Sequence, residues 1–174
     1  MRRLLLLRHA KAILATGRGD FERSLIERGR RDAKRVGAYV ARIGMAPDLV
    51  IDSGAARTRQ TGEIVRATWP EGAEARAEPR LYDASGQTIQ AIVRALPDAA
   101  PHVMLIGHNP GIGEIANRFV GRGARDETLR MAAKFPTSGL AILEFEAERW
   151  RDIEPGSALL ARFVTPDDPR VGGA

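Results

Sequence analysis

The chain has 174 residues, 44% of them hydrophobic and 28% charged, with a net charge of +5. That size and balance fit one soluble globular domain able to bury a proper core. They exclude a membrane-spanning helix, since no apolar run approaches the roughly 20 residues a bilayer requires; the absence of cysteine excludes disulfides, zinc–thiolate sites and thiol nucleophiles.

The elements follow in chain order. Met1-Arg2-Arg3 before Leu4 to Leu7 has the flavour of a signal peptide, but the apolar part is too short and no small-residue cleavage site follows. It reads instead as a buried first strand of a cytoplasmic protein, ending on Arg8-His9-Ala10-Lys11. A loop from Ala15 to Arg23 contains Gly17, Gly19 and Asp20. Ser24-Leu25-Ile26-Glu27 resembles a capping box opening a helix to about Ile43, with Ala33, Val36, Val40 and Ile43 on its apolar stripe. Asp48 to Asp52 reads as a second strand, and Ser53-Gly54 turns the chain into a helix over 56–67. Trp69 to Pro79 is loop with one short strand. Ile89, Ile92, Val93 and Leu96 mark a third helix, stopped by Pro97. His102 to Ile106 is a third clear strand, and Ile112, Ile115, Ala116, Phe119 and Val120 give a fourth helix its stripe. Two further strands, Gly139 to Glu146 and Ala158 to Val164, join through a turn at Glu154-Pro155-Gly156. From Thr165 the chain is rich in Pro, Gly and Asp, so a flexible tail over 167–174 is expected after a single domain over 1–166. Strands alternating with helices imply a three-layer α/β/α fold with a mainly parallel central sheet.

Three predicted strands end on groups suited to a phosphoryl oxyanion: Arg8-His9, Ser53 through Arg57, and His108. In a parallel sheet such ends share one edge, where ligands collect. Arg57 falls in the first turn of its helix, where backbone N–H groups favour an anion, and a guanidinium can grip two oxygens at once. Each residue also has a plainer reading: Arg57 as a surface arginine like Arg59, His108 as a capped loop histidine, and His102 as an ordinary residue at a strand start.

Arg8-His9-Ala10 resembles the Arg-His-Gly motif of the histidine phosphatase (phosphoglycerate mutase-like) superfamily. The stretch from Ser53 to Thr61 resembles its second motif, and Gly107-His108-Asn109-Pro110 the motif of its second histidine. Asp20-x-x-Arg23, Glu27-Arg28-Gly29, Leu81-Tyr82-Asp83-Ala84-Ser85 and Lys134-Phe135-Pro136-Thr137 add to the likeness, which runs from Leu4 to about Pro166 and is greatest to the short SixA-type phosphohistidine phosphatases. Ala10 stands where the family has glycine, and Gly54 where it has proline.

The resemblance implies a hydrolase of phosphoglycerate mutase-like fold that needs no metal or cofactor. His9 would attack phosphorus and form a covalent phosphohistidine; Arg8, Arg57 and His108 would bind the non-bridging oxygens. Asp83 is the positional candidate for general acid, with a plain surface aspartate as its rival. Lys11, Asp20, Lys134 and Thr137 either contribute to the site or serve locally: Lys11 lining the pocket or solvated, Asp20 pairing with Arg23, Lys134 and Thr137 shaping a loop. With only about fifty residues between Arg57 and His108, there is no room for the inserted segments that close small-molecule pockets. An open site suits a phosphorylated protein, for instance a histidine phosphotransfer domain of bacterial signal transduction, acted on by a monomer. The alternatives are a small phosphate ester hydrolysed by the same chemistry and a phosphate-binding regulatory module without turnover. Nucleic acid is not an expected partner, because basic residues interleave with acids, as in Glu27-Arg28-Gly29-Arg30-Arg31-Asp32, and stacking aromatics are few. A general attraction for anions is what the charge supports.

Overall fold

Four consecutive leucines cannot alternate inside and out, so a strand made of them must be covered on both faces. In the computed structural model, which describes residues 1–15, 19–69 and 73–172, Leu4 to Leu7 are fully buried in β1 (Arg2–Arg8), near the centre of a seven-stranded sheet. Leu4 and Leu6 pack into one core, Leu5 and Leu7 into the other, as the two-residue period of a strand requires. Each such side chain removed from water contributes about 1.5–3 kcal/mol.

The other strands are β2 (Leu49–Asp52), β3 (Glu74–Ala77), β4 (His102–Gly107), β5 (Val120–Gly123), β6 (Leu140–Phe145) and β7 (Ala158–Val164). Their order is β3-β2-β4-β1-β6-β7-β5. β3, β2, β4 and β1 run parallel; β6 is antiparallel to both β1 and β7, and β5 pairs in parallel with β7. The helices α1 (Glu27–Arg42) and α2 (Ala56–Arg66) cover the face of Leu5 and Leu7, whereas α3 (Gly86–Arg94), α4 (Gly111–Phe119) and α5 (Arg125–Ala133) cover that of Leu4 and Leu6. The three-layer arrangement with a mainly parallel sheet matches the expectation.

Several local expectations need correction. Ser24 does not cap α1; the cap position is Ile26, whose backbone is extended and whose side chain makes no capping bond. Leu25 forms a bridge to Ala12, and its N–H donates to Gln60 Oε1 at 2.8 Å, which buries the leucine and delays the helix. Val120 leaves α4 and begins β5, because Gly121 and Gly123 are poor helix residues and β7 offers an open edge there. α5 had no sequence signal: Met131 is its one buried residue, so no apolar stripe marks it. The expected flexible tail is docked through Gly172, where α6 (Pro169–Gly172) sets Val171 into the core beside α1, and Asp168 is buried against Arg170 and Arg130. Gly17, the 70–72 part of the predicted loop and the last two residues of the tail lie outside the described residues.

Candidate active site

Strand register brings the site together. Arg8 pairs with Gly107 and Asp52 with Ile106, so the next residues, His9, Ser53 and His108, emerge side by side at the carboxyl edge. Neighbouring strands lie about 4.8 Å apart, and the His9 and His108 rings stand 5.2 Å apart between centroids. His102 begins β4 and lies at the opposite edge, as an ordinary strand-start residue would.

The proton positions follow from the acceptors. His9 Nδ1 is 2.8 Å from the carbonyl oxygen of Ala10. A carbonyl only accepts, so Nδ1 carries the hydrogen and Nε2 keeps the lone pair. Burial lowers the His9 pKa to about 3, with the nearby His108, Arg57 and Arg8 adding to the effect against the Ala10 hydrogen bond. The ring is therefore neutral at physiological pH. Its backbone is pinned as well: His9 N–H donates to Gly107 O at 3.0 Å, Ala10 N–H to Thr61 Oγ1 at 3.0 Å, and Ser138 N–H to the carbonyls of Arg8 and His9. The Ala10 methyl points into the core with Leu5 and Leu7, so it does not crowd a ligand.

Two guanidiniums face this ring. Arg8 donates through Nη1 to Phe135 O at 3.0 Å. Arg57, buried on α2, donates through Nη1 to Asp20 O at 2.7 Å and through Nη2 to Asp20 Oδ2 at 2.9 Å. Asp20 is further held by Tyr82 O–H at 2.5 Å and Arg23 Nε at 2.8 Å; the Tyr82 bond, helped by Arg57, lowers its pKa to about 2. Asp20 is thus an ionised carboxylate that orients Arg57, a role beyond its local pair with Arg23. The Tyr82 ring lies 5.8 Å from the Arg57 guanidinium carbon and meets His108 edge-on at 5.4 Å.

His108 Nε2 is 2.7 Å from Ser53 Oγ, which is 2.9 Å from Thr58 Oγ1. Hydroxyls rotate. With Thr58 Oγ1 donating to Ala55 O at 2.9 Å, Ser53 donates to Thr58 and accepts from His108. With Thr58 turned to donate to Ser53, the chain runs the other way. With Ser53 donating to Nε2, the neutral ring presents Nδ1–H; with the hydroxyls reversed, Nδ1 is bare. Burial and the Arg57 charge lower the His108 pKa to about 4, so both forms are neutral tautomers. Ser53 itself is placed by Gly54, whose φ of 82° is costly for other residues and whose N–H donates to Asp52 Oδ1 at 2.7 Å. A proline, with neither that φ nor an N–H, could not make this turn.

Among the described residues, four buried side-chain polar atoms have no hydrogen-bond partner: Arg8 Nε, Arg57 Nε, His108 Nδ1 and Ser138 Oγ. Unpaired buried polar groups cost about 1–3 kcal/mol each, so their concentration on residues around one histidine calls for an explanation. Three of them belong to Arg8, Arg57 and His108 beside the neutral His9 imidazole, and such a set, termed the cradle, is suited to receive an oxyanion.

Other sequence candidates are placed differently. Asp83 is exposed, in the left-handed region at φ 51°, and its side chain makes no hydrogen bond or ion pair; its neighbour Tyr82 enters the network instead. Lys11, Lys134 and Thr137 line an adjacent cleft of about 540 Å³. Ser138 had no sequence signal, and Tyr82 stood only as a motif letter beside Asp83. Gln60 and Thr61 likewise stood only as motif letters, whereas Ser53 was legible as a polar residue directly after a buried strand. Among the described residues no group of three or more His, Asp or Glu is arranged to hold a metal ion, and no helix is long and apolar enough to cross a membrane.

Comparison with known proteins agrees with this geometry. The histidine phosphatase superfamily (branch 1) matches residues 4–125. An uncharacterised protein of Mycobacterium tuberculosis is 35% identical over 162 residues, covering 92% of this chain and 99% of its own. The crystal structure of a candidate phosphohistidine phosphatase SixA from Agrobacterium tumefaciens superposes with a TM-score of 0.79 at 32% identity, over 95% of this chain and 98% of that one. A protein histidine phosphatase SixA complexed with tungstate shares the fold at a TM-score of 0.76 and 20% identity, over 94% and 97% of the two chains. With the sequence match, the shared sheet and the strand-end histidines in agreement, the chain belongs to the histidine phosphatase superfamily.

Proposed function

We propose that this protein is a phosphohistidine phosphatase acting on other proteins through a covalent phosphohistidine at His9. The observation that carries the reading is the set of unpartnered buried nitrogens on Arg8, Arg57 and His108 around a histidine whose Nε2 lone pair is free. Nε2 attacks phosphorus, the P–N bond to the substrate imidazole breaks, and its electron pair stays with the leaving ring. Water then attacks the phosphorus; the P–N bond to His9 breaks, its electrons return to Nε2, and the proton passes to phosphate or solvent. The guanidiniums and the Nδ1–H tautomer of His108 follow the charge on the three oxygens, which is where most of the catalysis of phosphoryl transfer lies. That charge is met by two fixed cations, so the reaction is expected to proceed without metal and to resist chelators.

Two features support a phosphohistidine substrate over a phosphate ester. An alkoxide leaving group requires a proton donor, yet Asp20 is ionised well below neutral pH and Asp83 is exposed and unpaired. An imidazole can leave already protonated on its other nitrogen and needs no such acid. Between α2 and His108 the described residues form only β3, a short helical turn over 79–81, α3 and β4, with no inserted cap among them, so a side chain on a protein such as a histidine phosphotransfer domain can reach the cradle. The similarity to the Agrobacterium protein, at 32% identity over 95% of the chain, points the same way.

The test is a panel of a phosphohistidine-bearing protein, a phosphoserine peptide and small phosphate esters, run with and without chelator. The protein substrate should turn over fastest, an acid-labile phosphoenzyme should be trapped, and His9→Ala should lower kcat by on the order of 10⁴-fold or more. Fast turnover of an ester with none of the phosphohistidine protein would reject the substrate class.

A further inference from the structure

The cleft beside the cradle is walled by the first turn of α1, the end of α5, the loop after it and the exit of β7. Its apolar floor includes Phe163, buried and packed edge-on against Phe135 at 5.2 Å, and Pro136. Four cations line it, and they differ in state. Arg28 is engaged by Asp32 at 3.7 Å and Asp167 at 4.0 Å, and Arg130 by Asp168 at 3.3 Å. Lys11 and Lys134 are exposed, and neither has an ion pair or side-chain hydrogen bond. The four cations of the lining outnumber its two acids, Asp32 and Asp167, both of which lie against Arg28, and the cations left without a partner are the two ammonium groups. Lysine occurs only at positions 11, 34 and 134, so two of the three stand here.

The cleft is also locked to the chemistry. Lys11 follows His9 by two residues, and its carbonyl accepts from Ile26 N–H at 3.0 Å. The loop carrying Lys134 supplies Phe135 O to Arg8 and the Ser138 N–H to the Arg8 and His9 carbonyls. Whatever sits in the cleft is therefore held at a fixed offset from the reacting phosphorus.

We propose that this cleft binds an acidic segment of the phosphorylated protein next to its phosphorylated residue, with carboxylates on Lys11 and Lys134 and an apolar side chain over Phe163 and Pro136. The proposal rests on the phosphatase reading above. A volume of about 540 Å³ lies within the roughly 300–1,000 Å³ of specific ligand sites and accommodates a few side chains. Exposed charges of this kind confer selectivity and faster encounter more than raw affinity, so the contribution should weaken as salt rises.

The experiment compares the full-length wild type with K11E/K134E and with the milder K11A/K134A. Binding of a fluorescent decapeptide of alternating Glu and Leu is followed by anisotropy at two salt concentrations, without reference to turnover. The wild type should bind, with K11A/K134A losing about threefold and K11E/K134E at least tenfold. For a phosphohistidine-bearing acidic protein, K11E/K134E should raise KM about tenfold, while its turnover of phosphoimidazole stays within twofold of wild type. Equal peptide binding by all three proteins overturns the proposal, as does displacement of the peptide by orthovanadate, which would put the peptide in the cradle. Lysine-dependent binding of inorganic pyrophosphate without peptide binding assigns the cleft to small anions and also overturns it. If the wild type hydrolyses no phosphohistidine, the catalytic reading fails, and the peptide measurement still decides the cleft.

Discussion

The cradle and the cleft share a loop and a sign of charge, yet they are built on opposite principles. In the cradle every cationic or imidazole group is at least half buried, oriented by a second group, and relieved of rotamer freedom: Arg57 by Asp20, Arg8 by the Phe135 carbonyl, His108 by Ser53, His9 by the Ala10 carbonyl. In the cleft the free charges are two solvated lysines on flexible stems. Phosphoryl chemistry needs donors fixed to within fractions of an ångström, whereas selecting among protein segments tolerates adaptable contacts. The difference teaches where substitutions should change kcat and where they should change KM.

The strongest challenge to the contrast is Arg57→Lys. A lysine keeps the charge and three donors, but all three leave one nitrogen. It cannot reproduce the planar spread by which Arg57 holds Asp20 through Nη1 and Nη2 and leaves Nε free. It should lower kcat by about a hundredfold or more with stability near wild type, measured by single-turnover kinetics. A tenfold effect or less would mean that charge alone suffices and that the cradle resembles the cleft after all.

Ser53→Ala touches no substrate, so it probes pre-organisation alone. Without the hydroxyl, His108 Nε2 loses its partner and the ring can no longer be driven to the Nδ1–H form. kcat should fall about tenfold, the equivalent of one hydrogen bond, with KM little changed. The ¹⁵N shifts of the His108 ring should move towards the other tautomer; unaltered shifts would remove Ser53 from the mechanism.

The smallest effect concerns acid. Because His9 and His108 stay neutral in the fold down to about 3 and 4, the unfolded chain binds protons below about pH 6.5 that the native state refuses. Stability is complete above that pH and falls as pH drops from about 6.5 to about 4 for His108 and about 3 for His9. Asp20 and Asp168, held at about 2, stabilise above their ordinary range, and that contribution is lost only as pH falls from about 4 to 2. Urea unfolding at pH 7.5, 6 and 5 checks the upper window, and His108→Asn should flatten its slope. By the same logic no loss of nucleophilicity by His9 is expected between pH 7 and 5.

Much of this was legible from the order of residues. Leu4 to Leu7 announced a strand buried on both faces, and Arg8, His9, Arg57 and His108 followed from strand ends plus a family likeness. What escaped notice was what depends on folded geometry. Tyr82 meets Asp20 only because a short helical turn over 79–81 brings it across some sixty residues of sequence. Asp83, next to it in sequence, is turned outward by a left-handed backbone. The docking of the tail was hidden because its composition suggests fraying, while one valine and one buried aspartate hold it. β5 and α5 lacked the periodicity that reveals packed elements, since an edge strand with two glycines and a nearly unburied helix have little apolar pattern to show.

The packing of α1 beneath the nucleophile loop sets limits for redesign. A Cβ added at Gly29 would come within 2.0 Å of the Lys11 carbonyl oxygen, so the helix start and the strand exit behave as one solid part. If the cleft selects the substrate as proposed, side chains at 11 and 134 are the positions to vary, while the backbone beneath them admits no thicker residue at 29. Specificity is then the editable layer, printed on a frame whose shape is already decided.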